Sequence, residues 1–213
     1  MSSDVLVTTP AQRQTEPHAE AVSRNRRQQA TFRKVLAAAM ATLREKSYAD
    51  LTVRLVAARA KVAPATAYTY FSSKNHLIAE VYLDLVRQVP CVTDVNVPMP
   101  IRVTSSLRHL ALVVADEPEI GAACTAALLD GGADPAVRAV RDLIGAEIHR
   151  RITSAIGPGA DPGTVFALEM AFFGALVQAG SGTFTYHEIA DRLGYVVGLI
   201  LAGANEPSTG GSE

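Results

Sequence analysis

Side chains able to do polar chemistry crowd into one short stretch of this 213-residue chain. Thr52, Arg54, Lys61, Thr66, Tyr68, Thr69, Tyr70 and Lys74 are hydroxyls and cations, and what they share is hydrogen bonding to anions and to the edges of bases. Nucleophiles and bases assemble nowhere in the same way. His18, His76, His109, His149 and His187 are scattered, without a nucleophile elbow, metal-ligand spacing or phosphate loop near them. The two cysteines, Cys91 and Cys124, have no paired spacing, so neither a disulfide framework nor a zinc site is readable, and a reducing cytoplasm fits. No cofactor or metal is expected, nor catalysis; a small all-helical enzyme is the alternative from a different class.

The elements that must position those residues are helices. Phe32, Val35, Leu36, Ala39, Met40 and Leu43 recur at the spacing of one helical face. Thr52 is a good N-cap for a short second helix carrying Leu55, Val56 and Arg59. Pro64 suits the first turn of a third, because its fixed φ is already helical. Ser72 or Ser73 starts a fourth, with Leu77, Ile78, Val81, Tyr82, Leu85 and Val86 on its apolar face. Residues 52–77 thus form helix, tight turn, helix. Small Ala57 and Ala58 let the two helices cross closely, Val62 and Ala67 plug the angle between them, and the second helix is presented to a major groove about as wide as a helix. Pro90, Pro98 and Pro100 break the pattern and mark a domain boundary. Beyond it the spacing predicts helices near 101–115, 118–129, 135–156, 163–181 and 188–203, and strand alternation is absent at useful length. The expected organisation is all-α: a disordered, basic-ended arm (1–25), a three-helix helix-turn-helix domain (26–88), a helical bundle (89–204) and a loose tail (205–213).

Charge is divided along the same line. Residues 24–88 hold twelve Lys/Arg against four Asp/Glu, a net charge of +8, and residues 89–213 hold seven against fourteen, a net charge of −7. A basic module joined to an acidic one points the basic end at a polyanion. Charged residues are only 19% of the chain against 48% apolar, so part of the surface is expected to be covered by a partner subunit. The first residues lack the basic start and apolar stretch of a signal peptide. The uncharged run from Met170 to His187 is too polar for a membrane span of roughly 20 apolar residues, and is taken as a buried helix. A membrane is not expected as a partner.

The segment Leu51 to Leu77 resembles the N-terminal pattern of the TetR/AcrR family of transcriptional regulators: Thr52-Val53-Arg54 opening the second helix, Ala60-Lys61-Val62 in the turn, then Tyr68, Phe71, Lys74 and Leu77. The likeness covers roughly residues 27–86, and the rest of the chain is similar only in length and helicity. Three positions depart from the pattern, one of them at Ala65, near which a Gly is usual. Lys61 stands where Gly is common, which asks a left-handed backbone of a lysine at about 1 kcal/mol; Ala63 stands where Ser is common and caps about 1 kcal/mol worse. The resemblance implies a DNA-binding dimer on an inverted-repeat operator. Lys74, Tyr68 and Thr52 are expected on phosphates, Tyr68 packing on Phe71 and Thr52 capping its helix as alternative or concurrent tasks, and Lys61 gains a phosphate contact in exchange for its strain. No Arg, Asn or Gln lies between Ala63 and Phe71 to make bidentate base contacts. Readout therefore falls to Thr66, Thr69 and Tyr70, with Pro64 and Ala65 against thymine methyls and Arg54 adding one stronger bond. Arg24, Arg26 and Arg27 either add attraction near the minor groove or form a solvated charge run.

In the second domain, the helix near 163–181 is apolar nearly all round and must be covered on every side. The resemblance implies that the last two helices form a four-helix dimer interface, here expected from Phe172, Leu176, Ile189, Leu193, Val196, Val197 and Ile200, with Gly194 and Gly198 permitting close approach. It also implies a pocket for a small hydrophobic effector among the middle helices, with His109, Leu112, Cys124, Leu128, Phe166, Met170 and Phe173 as candidate walls. The expected function is a cytoplasmic repressor released from its operator by such an effector. A regulator that activates, or senses no ligand, is the alternative.

Overall fold

The apolar face read in the first helix is the one the fold buries. In a computed structural model, which describes residues 16–204, helix α1 (Glu16–Leu43) packs Val35, Leu36, Ala39 and Leu43 inward, with Phe32 and Met40 half-buried at its margins. This helix starts at Glu16, so residues 16–25, expected in the disordered arm, are helical instead. Arg26 and Arg27 are exposed on it. Residues 1–15 and the tail at 205–213 lie outside the described residues.

Two short helices follow. Helix α2 (Val53–Arg59) is capped by Thr52, whose hydroxyl accepts from the Leu55 N–H at 3.1 Å. Helix α3 (Pro64–Tyr70) opens with Pro64 and has no side-chain cap from Ala63. Helix α4 (Lys74–Gln88) is capped by Ser73, which accepts from the His76 N–H. The α2–α3 turn is a Schellman motif: the Val62 N–H reaches the Ala57 carbonyl, the Lys61 N–H reaches the Ala58 carbonyl, and Lys61 takes a left-handed φ of 54°. Two expected C-terminal carbonyl partners are satisfied, at the cost of a lysine in a conformation suited to glycine. Ala57 and Ala67 are completely buried where the two helices cross. Ala58 faces solvent instead, because the α2 axis turns its next residue away from α3.

The second half contains α5 (Met99–Ala111), a 3₁₀ turn (Leu112–Val114), α6 (Pro118–Asp130), a second 3₁₀ turn (Gly131–Ala133), α7 (Pro135–Ile156), α8 (Pro162–Gly180) and α9 (Tyr186–Ala204). Proline sits in the first turn of each of α5 to α8, where the missing N–H has no intrahelical bond to lose. Helix α4 packs on α1 and also on α6 and α7, α5 packs on α9 and α7, and α8 packs on α9. The hydrophobic core consequently runs unbroken through α4 from one half to the other.

Polar contacts reinforce that joint. The guanidinium of Arg151 on α7, 3% exposed, donates to Glu147 at 2.8 Å and to the carbonyls of Val89, Pro90 and Arg87, where α4 ends. Ser73 donates to Asp134 at 2.9 Å, so the cap of α4 is bonded to the cap of α7. Arg44 at the end of α1 pairs with Glu117 before α6.

Candidate nucleic-acid interface

Helix α3 is two turns long and gives the core little besides Ala67 and part of Tyr70. Pro64, Ala65, Thr66, Tyr68 and Thr69 are exposed along the remainder, Tyr68 at 52%. Phe71, fully buried, ends the helix and stacks on Phe32 of α1 with ring centroids 5.1 Å apart. One aromatic anchor and one alanine therefore hold α3 in place while its outer surface stays free. Arg54 on α2 and Lys61 in the turn are also exposed, and neither side chain has a hydrogen-bond or ion-pair partner among the described residues. By contrast, Arg59, a few residues away, is tied to Glu45 through two contacts of 2.5 Å.

Three predicted DNA contacts have other occupations. Tyr70 turns back, half-buried, to lie edge-on to Phe32 at 6.1 Å and beside Phe71; α3 is too short for its last residue to share the outward face of Thr66 and Thr69. The ammonium of Lys74 donates to the Tyr48 carbonyl at 3.2 Å and sits 4.5 Å from the Tyr48 ring centroid. Tyr48 is in turn held by its hydroxyl, which donates to Asn75 at 2.5 Å. Lys74 thus pins the α1–α2 loop, an assignment that its sequence position did not disclose. The Thr69 hydroxyl donates back to the Ala65 carbonyl at 3.0 Å, although its methyl group remains on the surface.

The expected effector residues do not assemble as a set. A cavity of about 320 Å³ lies among α4, α6, α7, α8 and α9 and takes in Cys124, Leu128 and Phe173 of those predicted. His109 is exposed on α5 and Leu112 is half-buried in the 3₁₀ turn. Phe166 and Met170 are on the outside of α8, 63% and 56% exposed. Sequence reasoning missed Tyr82, Arg141 and Tyr186, the cavity's polar walls. A tyrosine on the otherwise aliphatic stripe of α4 was the available signal for Tyr82. Burial pushes the Cys124 thiol up to about 12, so it stays protonated and is no nucleophile at neutral pH.

The expected interface residues also divide. Phe172, Ile189, Leu193 and Val197 are buried within their own chain, which corrects their assignment to a dimer surface: the α8–α9 contact consumes the stripe that the sequence shows most clearly. Leu176 lines the cavity, and Val196 and Ile200 are half-buried. On these two helices the large apolar residues left open are Phe166, Met170, Phe173 and Val177 of α8 with Tyr195 and Leu199 of α9. Of the two α9 glycines expected at the interface, Gly194 faces Thr104 of α5 and Gly198 borders open space. Helix α8 is long and apolar enough to cross a membrane, yet one face of it is packed on α9, α6 and α7.

Residues 35–81 match the family model of "Bacterial regulatory proteins, tetR family". The whole fold is similar to that of a TetR transcriptional regulator from Rhodococcus sp. RHA1, with 21% identity and a TM-score of 0.69 over 84% of this chain and 98% of the other. It is also similar to FadR from Bacillus subtilis in complex with stearoyl-CoA (14% identity, TM-score 0.55, 81% and 98% covered). A third likeness is to the multidrug binding protein EbrR complexed with imidazole (18% identity, TM-score 0.58, 83% and 91% covered).

Proposed function

We propose that this chain, a TetR-family transcriptional regulator, represses transcription by holding an inverted-repeat operator as a homodimer and lets go when a small, mainly apolar effector enters its second domain. The observation that carries the DNA reading is the outer face of α3, where Pro64, Ala65, Thr66, Tyr68 and Thr69 are exposed beside the unpaired cations of Arg54 and Lys61. A helix held from behind by Ala67 and Phe71 can enter a major groove without disturbing its own anchor. Thr66 and Thr69 offer methyl and hydroxyl contacts to base edges, Pro64 and Ala65 offer apolar contact to thymine methyls, and Arg54, Lys61, Thr52 and Tyr68 attach to phosphates on either side. Lys74 contributes by fixing the loop before α2. Residues that reach only phosphate position the protein, and those on base edges choose the sequence.

Dimerisation is supported by the uncovered apolar surface of α8 and α9. It would set two α3 helices to meet successive major grooves about 34 Å apart. The cavity supports an effector, as do the ligands named for the Bacillus and EbrR structures. Two walls of the cavity, Leu128 and Tyr82, stand on helices that meet the DNA-reading half directly, so a ligand has a short route to α4 and thence to α3. The protein is assigned to the cytoplasm, without cofactor, metal or membrane partner.

Selection from random duplex DNA by the purified full-length protein tests this reading. An enriched inverted repeat with half-sites about one helical turn apart is expected. Enrichment of a single unrepeated site, or of none, refutes it.

A further inference from the structure

We infer, building on the reading of the chain as an effector-released regulator, that Asp134 is a positioning residue for α3: from the corner of the cavity it holds the two serines between α3 and α4, and so ties the cavity wall to the DNA-reading face. Asp134 stands half-buried at the head of α7, and its two oxygens serve different halves of the molecule. Oδ1 accepts from the Ala136 N–H at 2.9 Å and caps α7. Oδ2 accepts from the Ser73 hydroxyl at 2.9 Å, with the Ser72 hydroxyl at 3.5 Å. Ser73 in turn accepts from the His76 N–H at 3.0 Å, so a chain of hydrogen bonds runs from the first turn of α4 to the first turn of α7. The Ser72 N–H donates to His76 Nδ1 at 3.2 Å, and the His76 ring lies edge-on to Phe71, the anchor of α3, at 5.9 Å.

The place of Asp134 in the chain gives that contact its consequence. Leu128 and Leu129 line the cavity from the last turn of α6, Gly131–Ala133 makes one 3₁₀ turn, and α7 returns to the cavity with Arg141 and Ile144. The corner has no slack. A Cβ on Gly131 would stand 2.8 Å from a methyl carbon of the fully buried Val137, so a wall that moves carries the corner with it. The other polar joints between the halves are elsewhere: Arg151 holds carbonyls where α4 ends, and Arg44 pairs with Glu117. The partners of Asp134 follow Tyr70, the last residue of α3, by only two and three positions. With Ala67 and Phe71 as its main anchors, α3 has little of its own to resist a shift there. The Ser73 hydroxyl and then the Ala136 N–H hold the Asp134 carboxyl below its ordinary range. It is therefore an ionised acceptor at neutral pH, and hydrogen bonds to a charged acceptor are the stronger kind.

Hydrogen exchange of the full-length protein, read by mass spectrometry, tests the inference with Asp134→Ser, Ser73→Ala and Gly131→Ala. Serine caps a helix about as well as aspartate, so Asp134→Ser keeps the cap of α7 while its shorter side chain lets go of Ser73. Amides of residues 67–73 should then exchange at least about fivefold faster, with those of 137–141 unchanged. The double variant with Ser73→Ala should be no faster there than the faster single one, because both remove the same contact. Gly131→Ala, which pushes the corner off Val137, should also alter exchange at 67–73, and this effect should vanish beside Asp134→Ser. Unchanged exchange at 67–73 in Asp134→Ser or in Gly131→Ala overturns the inference, as do effects of Asp134→Ser and Ser73→Ala that multiply. Loosening of 137–141 as great as that of 67–73 marks a cap and nothing more, and overturns it too. On a selected operator, Asp134→Ser should bind about tenfold more weakly; unchanged affinity removes the inference and leaves the regulatory reading standing. Exchange is measured without DNA, so a protein that selects no operator but shows the expected pattern keeps the contact's role in holding α3 and loses the DNA reading.

Discussion

Helices α3 and α8 both show solvent more of themselves than a core helix does, and they differ in everything else. α3 is seven residues long and exposes hydroxyls, small apolar groups and a tyrosine, flanked by unpaired cations. α8 is nineteen residues long, carries Glu169 as its one charged side chain, and exposes Phe166, Met170, Phe173 and Val177. Exposure alone therefore identifies no partner. A wettable surface ringed by cations can wait indefinitely in water for a polyanion. A contiguous apolar stripe cannot, and marks a surface meant for protein. On the proposed reading the first surface binds conditionally and the second permanently.

The largest test of that contrast puts charge into the stripe. Met170→Glu together with Tyr195→Glu should lower dimer affinity by at least about 100-fold, because each carboxylate would be desolvated at the interface. Operator affinity should fall by about 10²-fold or more as the two heads lose their linkage. Sedimentation and gel shift measure both, and a dimer that persists would break the comparison. Next comes the anchor of α3. Ala67→Leu overfills a site of zero exposure, and should cost about 1–3 kcal/mol in denaturant unfolding and abolish operator binding.

Smaller effects sharpen the division within the DNA surface. Arg54→Ala and Lys61→Ala should each lower affinity for every operator alike and reduce the slope of log affinity against log salt by about 0.9. Thr66→Ala should change which base is preferred. Tyr70→Phe, at a ring packed on Phe32, should change neither. The smallest effect is an acid one that favours neither surface. Arg150 and then Arg151 hold the Glu147 carboxyl below its usual value, and Ser73, with the Ala136 N–H, does the same for Asp134. Both contributions are complete above the unfolded values near 4.5 and 3.8 and fade as pH falls through the lower folded ones. Glu147→Gln should flatten part of the decline in melting temperature below about pH 4.5.

Legibility followed the source of each constraint. Caps, proline starts and apolar spacing are local, and they set the bounds of the second-half helices to within two residues, except that α5 stops at Ala111, four residues short of the expected end, and gives way to a 3₁₀ turn. The strain at Lys61 and the missing cap at Ala63 were equally plain, since each is a property of one residue at one turn. Side-chain duties were less accessible. Lys74 reads as a phosphate ligand until Tyr48, distant in sequence, is seen beneath it. The apolar residues of α8 and α9 could be recognised as needing cover, but their sequence gives no means of dividing them between a neighbour in the same chain and one in another.

By itself the sequence determined an all-helical chain with a basic, hydroxyl-bearing helix-turn-helix at one end, because helical period, capping and charge act over a few residues at a time. Only the tertiary structure decided which apolar face remained open, which tyrosines were sealed inside, and which lysine was already occupied. Those outcomes depend on how helices far apart in sequence rotate about their own axes when they pack, and a rotation of one residue's angle exchanges a buried side chain for an exposed one.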